Sequence, residues 1–227
     1  MRAWLFITVA VAALCGPLPQ KPADAGRLDA VLKKMDTAAA GFHSTQADFE
    51  WDQYQKVVDE TDVQKGTIYF RRSGQQIEMM AHVKDPDQRY VLYKDGKVQV
   101  YQPKIEQLIV HDLGNNRGDL EPYLVLGFGG SGQDLTKTFN VTYDGDETVG
   151  GIATGRLVLV PKSEKVKNTF AQIILWIDLA RGISVQQKFF TPQQDSRLVK
   201  YSNIRNEKIG NDVFQLKTTG KTQTITH

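Results

Sequence analysis

The sequence predicts a mainly β fold with a few helices: an incomplete antiparallel barrel, or strongly curled sheet, of about eleven strands with a short helical lid. Three observations carry this. Short runs of strand-forming residues, punctuated by Gly, Pro, Asn and Asp, continue from Ala47 to near the C-terminus. No strand–helix–strand alternation interrupts them, and a parallel sheet would need such crossovers. The runs between Gly66 and His111 carry large apolar groups on both faces: Ile68 and Phe70 against Tyr69, Tyr90 and Leu92 against Val91 and Tyr93, Leu108 and Val110 against Ile109. A sheet with one wet face alternates apolar with polar residues, so something must cover or occupy the second face of this one.

At the N-terminus, Met1-Arg2 precedes an apolar run, Ala3 to Leu14, and a Pro-rich stretch that ends Ala23-Asp24-Ala25. A basic start, a short apolar core and an A-x-A site make residues 1–25 a secretory signal peptide, too short to span a bilayer as a helix. The mature protein, one domain over residues 26–227, is then expected to begin at Gly26 as an exported protein. Cys15 follows the apolar run as the acylated cysteine of a lipoprotein would, but Leu14 stands where that signal needs a small residue. Cleavage after Ala25 leaves no cysteine, hence no disulfide and no thiol chemistry.

Leu28, Val31, Leu32 and Met35 recur at i, i+3, i+4 and i+7, an amphipathic helix over 27–39 that ends near Gly41. Ala47 to Val58 alternates as a long strand, and polar Asp59 to Lys65 reads as the turn into Gly66. Asp95-Gly96 joins the next two strands as a type I′ hairpin, because both central residues need positive φ. Gly114 to Gly132 breaks the pattern; Leu120, Tyr123 and Leu124 sit at helical spacing between glycine hinges, and Asp134 to Phe139 offers a further helical turn. Strands are then expected over 141–143, 148–153, 156–160, 170–178, 183–190, 197–203 and 213–217, with Asp144-Gly145 and Gly150-Gly151 among the turns.

Chemistry is sparse. The net charge of +2 arises from 28 basic and 26 acidic residues with no long basic block, which excludes nucleic acid as a partner. Gly127, Gly129 and Gly132 spell G-x-G-x-x-G, yet the strand, long helix and parallel sheet of a dinucleotide site are missing around them. Gln133 spoils the nucleophile elbow at Ser131. His43, His82, His111 and His227 lack zinc spacing, and Asp144, Asp146 and Glu147 lack that of a calcium loop. Neither an enzyme nor a cofactor is predicted. What remains is apolar surface: Phe49, Trp51, Ile68, Phe70, Met79, Tyr90, Leu92, Val98, Val100, Ile174, Trp176 and Phe189 all fall on predicted strands. They are core beneath the helices or, collectively, the lining of an apolar cavity.

The segments F-H-S-T-Q-A-D-F-E-W (42–51), G-T-I-Y-F-R-R (66–72), Y-V-L-Y-K-D-G-K-V-Q-V-Y-Q-P-K-I-E-Q (90–107), L-V-P-K (159–162) and Y-S-N-I-R-N (201–206) resemble, in order, the periplasmic outer-membrane lipoprotein carrier family, LolA. The resemblance implies an incomplete barrel with an apolar concave face under a helical lid. It implies a carrier that takes lipoprotein acyl chains from an inner-membrane ABC transporter of the Lol type to an outer-membrane acceptor, acting as a monomer. Leu28, Val31, Leu32 and Met35 would face the cavity from the lid, with Leu120, Tyr123 and Leu124 as a second lid element. Arg72 would match the family's arginine that bonds lid backbone and keeps the empty form closed, although Ser73 replaces the proline that often follows; a solvated strand-end charge, like that expected of Arg71, is the alternative. A lipid- or lipoprotein-sensing regulatory module on the same fold is the second functional reading, and acylation of Cys15 would favour an anchored acceptor of the LolB type.

Overall fold

The computed structural model describes residues 22–74, 76–114, 123 and 126–227. Helix α1 (Pro22–Ala40) leads into β1 (Ser44–Gln55), β2 (Glu60–Ser73), β3 (Gln76–Asp85), β4 (Arg89–Lys94), β5 (Lys97–Gln102) and β6 (Gln107–Asp112). A short helix (Gly132–Thr138) then precedes β7 (Phe139–Val149) and β8 (Ile152–Pro161), and one helical turn (Glu164–Lys167) precedes β9 (Gln172–Asp178), β10 (Ser184–Phe190), β11 (Ser196–Arg205) and β12 (Gln223–Thr226). The strands form one sheet in the order β12-β6-β5-β4-β3-β2-β1-β11-β10-β9-β8-β7. Every pairing is antiparallel except that of β12 with β6.

The sheet curls without closing. Ile68, Phe70 and Met79 of β2 and β3 share one buried cluster with Leu157, Leu175 and Phe189 of β8, β9 and β10, although these strands lie several places apart in the sheet. Alternation sets the inner face: in β1, Thr45, Ala47 and Phe49 are buried while Gln46, Asp48 and Glu50 between them are half-exposed. Helix α1 lies over this face, with Val31 and Met35 buried in the cluster and Leu28 and Leu32 packed at its margin.

The outer face explains the apolar excess on both sides of the strands. Met80 and Leu92, with Tyr69 and Tyr90 beside them, are covered by the C-terminal segment through Ile209, Val213, Phe214 and Leu216. A third cluster, Ile174, Trp176 and Val185, is packed by Val149, Ile152, Val158, Phe190 and Ile204. Arg71 binds the tail down: Nε donates to Glu78 at 3.0 Å, Nη1 to Asn211 at 2.6 Å, and the guanidinium lies 4.2 Å from the Phe214 ring centre. Arg71 is therefore a buried ion-pair partner, not the solvated charge expected of it.

The Asp95-Gly96 turn has φ of 52° and 73°, as a type I′ hairpin requires. Several other expectations need correction. Helix α1 begins at Pro22, upstream of the expected start, since Pro suits a first helical position and Asp24 complements the helix dipole. Residues 60–65 are strand rather than turn: Glu60 to Lys65 pair in register with Gln55 to Glu50, and their polarity reflects a projecting hairpin. Asp144-Gly145 is a bulge inside β7, with Gly145 at φ 102°, and the true turn is Gly150-Gly151. Residues 213–217 form no strand; Asn211–Phe214 is a 3-10 turn and β12 comes later.

Glu78 is 6% exposed and takes both Arg71 and, at 3.6 Å, Lys94. Removing one partner of a buried pair strands the other charge, so Glu78→Ala is expected to lower unfolding free energy by about 3–5 kcal/mol in urea titration. A loss under about 1 kcal/mol would mean that the pair behaves as a surface one.

Candidate functional site

The inner face is laid out in rows across β2 to β6, since directly opposed antiparallel residues share a face. Phe70, Met79, Tyr93 and Val98 form one row; Ile68, Ala81, Val91, Val100 and Ile109 the next; Gly66, Val83 and Arg89 a third. Of the residues proposed from sequence to line a cavity, Phe49, Trp51, Ile68, Phe70, Met79, Val98 and Phe189 belong to the inner cluster, and Val100 joins them through its pairing with Val91. Tyr90, Leu92, Ile174 and Trp176 do not: they occupy the alternate positions, face outward and are covered by the C-terminal segment or by the third cluster. Period-two alternation makes two faces legible in a strand without saying which is inner.

The space behind the lid is unevenly filled. Phe139, Leu157, Leu159, Ile173, Leu175 and Ile177 are fully enclosed. Trp51, Val91, Val98, Val100 and Tyr201 stay half-exposed although their side chains face inward. Tyr201 among them packs edge-on against Phe128, and burial raises its phenol above the usual tyrosine range. These inward-facing residues retain accessible surface, so the curl leaves a partly uncovered hollow on its inner face.

The glycine-rich segment, expected to act as hinges, fills part of that hollow. Phe128, 1% exposed, stacks on Phe70 at 4.7 Å and meets Tyr201 edge-on at 4.9 Å. Gly127 and Gly129 flank it at φ 81° and 77°. A Cβ on Gly127 would lie 2.4 Å from Ser184 Cβ, and one on Gly129 2.6 Å from Phe42 Cδ1. The glycines thus let the backbone press against its neighbours while the phenylalanine between them enters the interior. Three contacts hold this plug: Gln187 Nε2 donates to Leu126 O at 2.6 Å, Ser184 N to Gly127 O at 3.1 Å, and Arg72 Nη2 to Gly129 O at 3.1 Å.

Arg72 joins the plug to the lid. Besides Gly129 O, its guanidinium donates to Phe42 O at 3.3 Å and to Ala39 O at 3.4 Å, the latter in the last turn of α1. It also lies 5.8 Å from the Phe42 ring centre. A cleft of about 680 Å³ opens beside these contacts, lined by Ala39, Phe42, Gly127, Gly129 and Ile204 among others. Of the second lid element, Tyr123 is buried, stacked on Phe170 at 5.4 Å and edge-on to Phe139 at 5.1 Å; Leu120 and Leu124 lie outside the described residues.

The family model for the outer membrane lipoprotein carrier protein LolA matches residues 40–217. The chain belongs to the LolA family. Among solved structures, an uncharacterized conserved protein from Thermus thermophilus superposes with a TM-score of 0.54 at 12% identity, over 89% of this chain and 99% of that one. MucB superposes with a TM-score of 0.53 at 13% identity, over 85% of this chain and 63% of MucB. The MucA/MucB complex of Pseudomonas aeruginosa gives 0.50 at 13% identity, over 84% of this chain and 61% of that one. The LolA-family chain thus spans less than two thirds of MucB, and at these identities the likeness is one of fold. No curated protein matches it by sequence.

If the plug glycines serve close approach as well as positive φ, Gly129→Ala should cost more than Gly74→Ala, whose Cβ would meet nothing within 4 Å at φ 61°. Thermal or urea unfolding is expected to show a loss of about 1–2 kcal/mol for Gly74→Ala and about 2–4 kcal/mol for Gly129→Ala, the clash adding to the strain. Equal losses would reduce Gly129 to a turn residue.

Proposed function

We propose that this protein is an exported carrier that holds the acyl chains of a lipoprotein, or of a lipid, behind its lid and shuttles them from inner to outer membrane. Family membership and an inward apolar face support the binding part of this reading. The observation that carries it furthest is the Arg72 guanidinium, which touches lid, lid-to-β1 connection and plug together. Such a contact acts as a latch: a single side chain that must let go before α1 and Phe128 can move.

Magnitudes fit a closure that cargo can open. Each methylene removed from water contributes about 0.8 kcal/mol, so a chain of about a dozen contributes about 10 kcal/mol. Displacing Phe128 costs about 1.5–3 kcal/mol of burial, and each hydrogen bond from a charged donor about 1.5–3 kcal/mol. Three such bonds and the ring amount to about 6–12 kcal/mol, so two acyl chains outweigh plug and latch, whereas a smaller apolar group does not. Loading from an inner-membrane ABC transporter of the Lol type and release to an outer-membrane acceptor need only a gradient of affinity, with no bond made or broken. In this reading Leu28, Val31, Leu32 and Met35 cover the chains, and Phe49, Trp51, Ile68, Phe70, Met79, Val98, Val100 and Phe189 contact them.

A sensor in which occupancy alters contact with a protein partner is the second reading. It draws on the MucA/MucB complex, whose likeness to this chain is one of fold, and it has no counterpart to the latch argument.

Arg72→Leu separates a latch from a structural charge. It is expected to raise affinity for an apolar fluorophore or fluorescent fatty acid at least about tenfold, the equivalent of losing even one of its three hydrogen bonds from the closed form. Unchanged affinity, with only a lower melting temperature, would leave Arg72 a structural residue.

A further inference from the structure

Two arginines face the hollow, and no acid answers them among the described residues. Arg197 of β11 lies opposite Phe189 of β10, and Arg89 opens β4 opposite Val83 of β3. Phe189 and Val83 are inner-face residues, so both guanidinium groups are on the inside. Arg197 is enclosed by the Trp51 ring, 5.6 Å away, and the Phe189 ring, 5.4 Å away. Burial above all, against an opposing pull from Tyr201 and with a smaller push from the Arg89 charge, holds its basicity below the usual arginine range. It nonetheless retains accessible surface, as Tyr201 does in the same hollow.

Two of the donors around it are buried without acceptors. Arg89 gives one Nη2 hydrogen bond to Gln64 Oε1, but its Nε is buried with no partner, and so is Trp51 Nε1. Guanidinium and indole can only donate. Strand alternation sends Glu50 and Asp52 to the outer face, where Lys65 and Lys200 take them. Glu60 and Asp62 share the inner register but sit out on the exposed β1–β2 hairpin, Asp62 held by Gln55 at 3.4 Å. Tyr201 beside it offers a phenol and not a carboxylate. Stacking on Trp51 and Phe189 satisfies the faces of the Arg197 guanidinium and leaves its N–H edge open.

We propose that Arg197, supported by Arg89 and Trp51, receives the oxyanion headgroup of an anionic amphiphile, a phosphate above all, whose chains lie along Val91, Val100 and Tyr201. Two positive charges and unanswered donors call for an anion with several acceptor oxygens, and the apolar wall beside them calls for a chain. The inference rests on the carrier reading and narrows it: acyl chains alone offer these donors nothing, so the preferred cargo carries an acidic group near them.

The test is binding of lysophosphatidylglycerol and lysophosphatidylcholine of equal chain length, below their micellar concentrations, followed by native mass spectrometry and titration calorimetry on the full mature chain. Wild-type protein is expected to prefer the anionic lipid about tenfold or more, as one or two charge-assisted hydrogen bonds would give. Arg197→Gln is expected to bring that ratio to near one, Arg89→Gln to reduce it, and Arg197→Lys to retain part of it; matching melting curves certify that each variant is folded. Equal binding of both lipids, unchanged in folded Arg197→Gln, would overturn the inference and leave carriage standing. Binding of neither lipid would overturn carriage and the inference together. Inorganic phosphate that competes at the lipid's own concentration would keep the anion site and assign it to free phosphate, against a lipid headgroup.

Discussion

A guanidinium has five N–H donors in a fixed plane and no acceptor, and at Arg72 three backbone oxygens from separate segments meet that fork. Much of the closed form depends on this convergence. Ala39 O belongs to the last turn of α1, Phe42 O to the connection into β1, and Gly129 O to the plug, so one side chain from β2 registers lid and plug against the sheet. Backbone oxygens are indifferent to side-chain identity, which lets the latch persist as the lid sequence varies. In the proposed carrier it would also make release simple, because no oppositely charged group has to be separated from the arginine.

The remaining architecture is a consequence of curling a sheet whose two faces are both apolar. The outer face is closed permanently by the chain's own C-terminal segment, fixed by Arg71, Glu78 and Phe214. The inner face is covered by a helix and by one phenylalanine between two glycines, and in the proposed carrier this is the cover that is conditional. Adjacent arginines of β2 thus have opposite assignments, Arg71 outward to the permanent cover and Arg72 inward to the conditional one, as the period of two in a strand demands.

Much of this is legible in the sequence. The Asp95-Gly96 turn, the amphipathic face of α1 and the antiparallel class all follow from local rules, and the family motifs point to Arg72. The faces are not legible. Tyr90 and Leu92 look as suited to a cavity as Val91 and Val100, because the cover on their side comes from residues far along the chain. Residues 60–65 look like a turn because a hairpin projecting into water has no apolar face to advertise. Phe128 escapes a sequence reading because its glycines suggest flexibility, whereas they serve close approach to Ser184, Phe42 and Ile77. Arg89 on β4 and Arg197 on β11 have six strands between them in sequence and three in the sheet, and they come near each other through the curl.

The central claim is that cargo occupies the inner face and no other apolar surface of the molecule. A photo-crosslinking residue at Val100, on the inner face, and another at Leu92, under the C-terminal segment, test it in one experiment on protein isolated from the periplasm. A lipid or lipoprotein adduct is expected at Val100 and none at Leu92. Adducts at Leu92 alone, or equally at both positions, would contradict it.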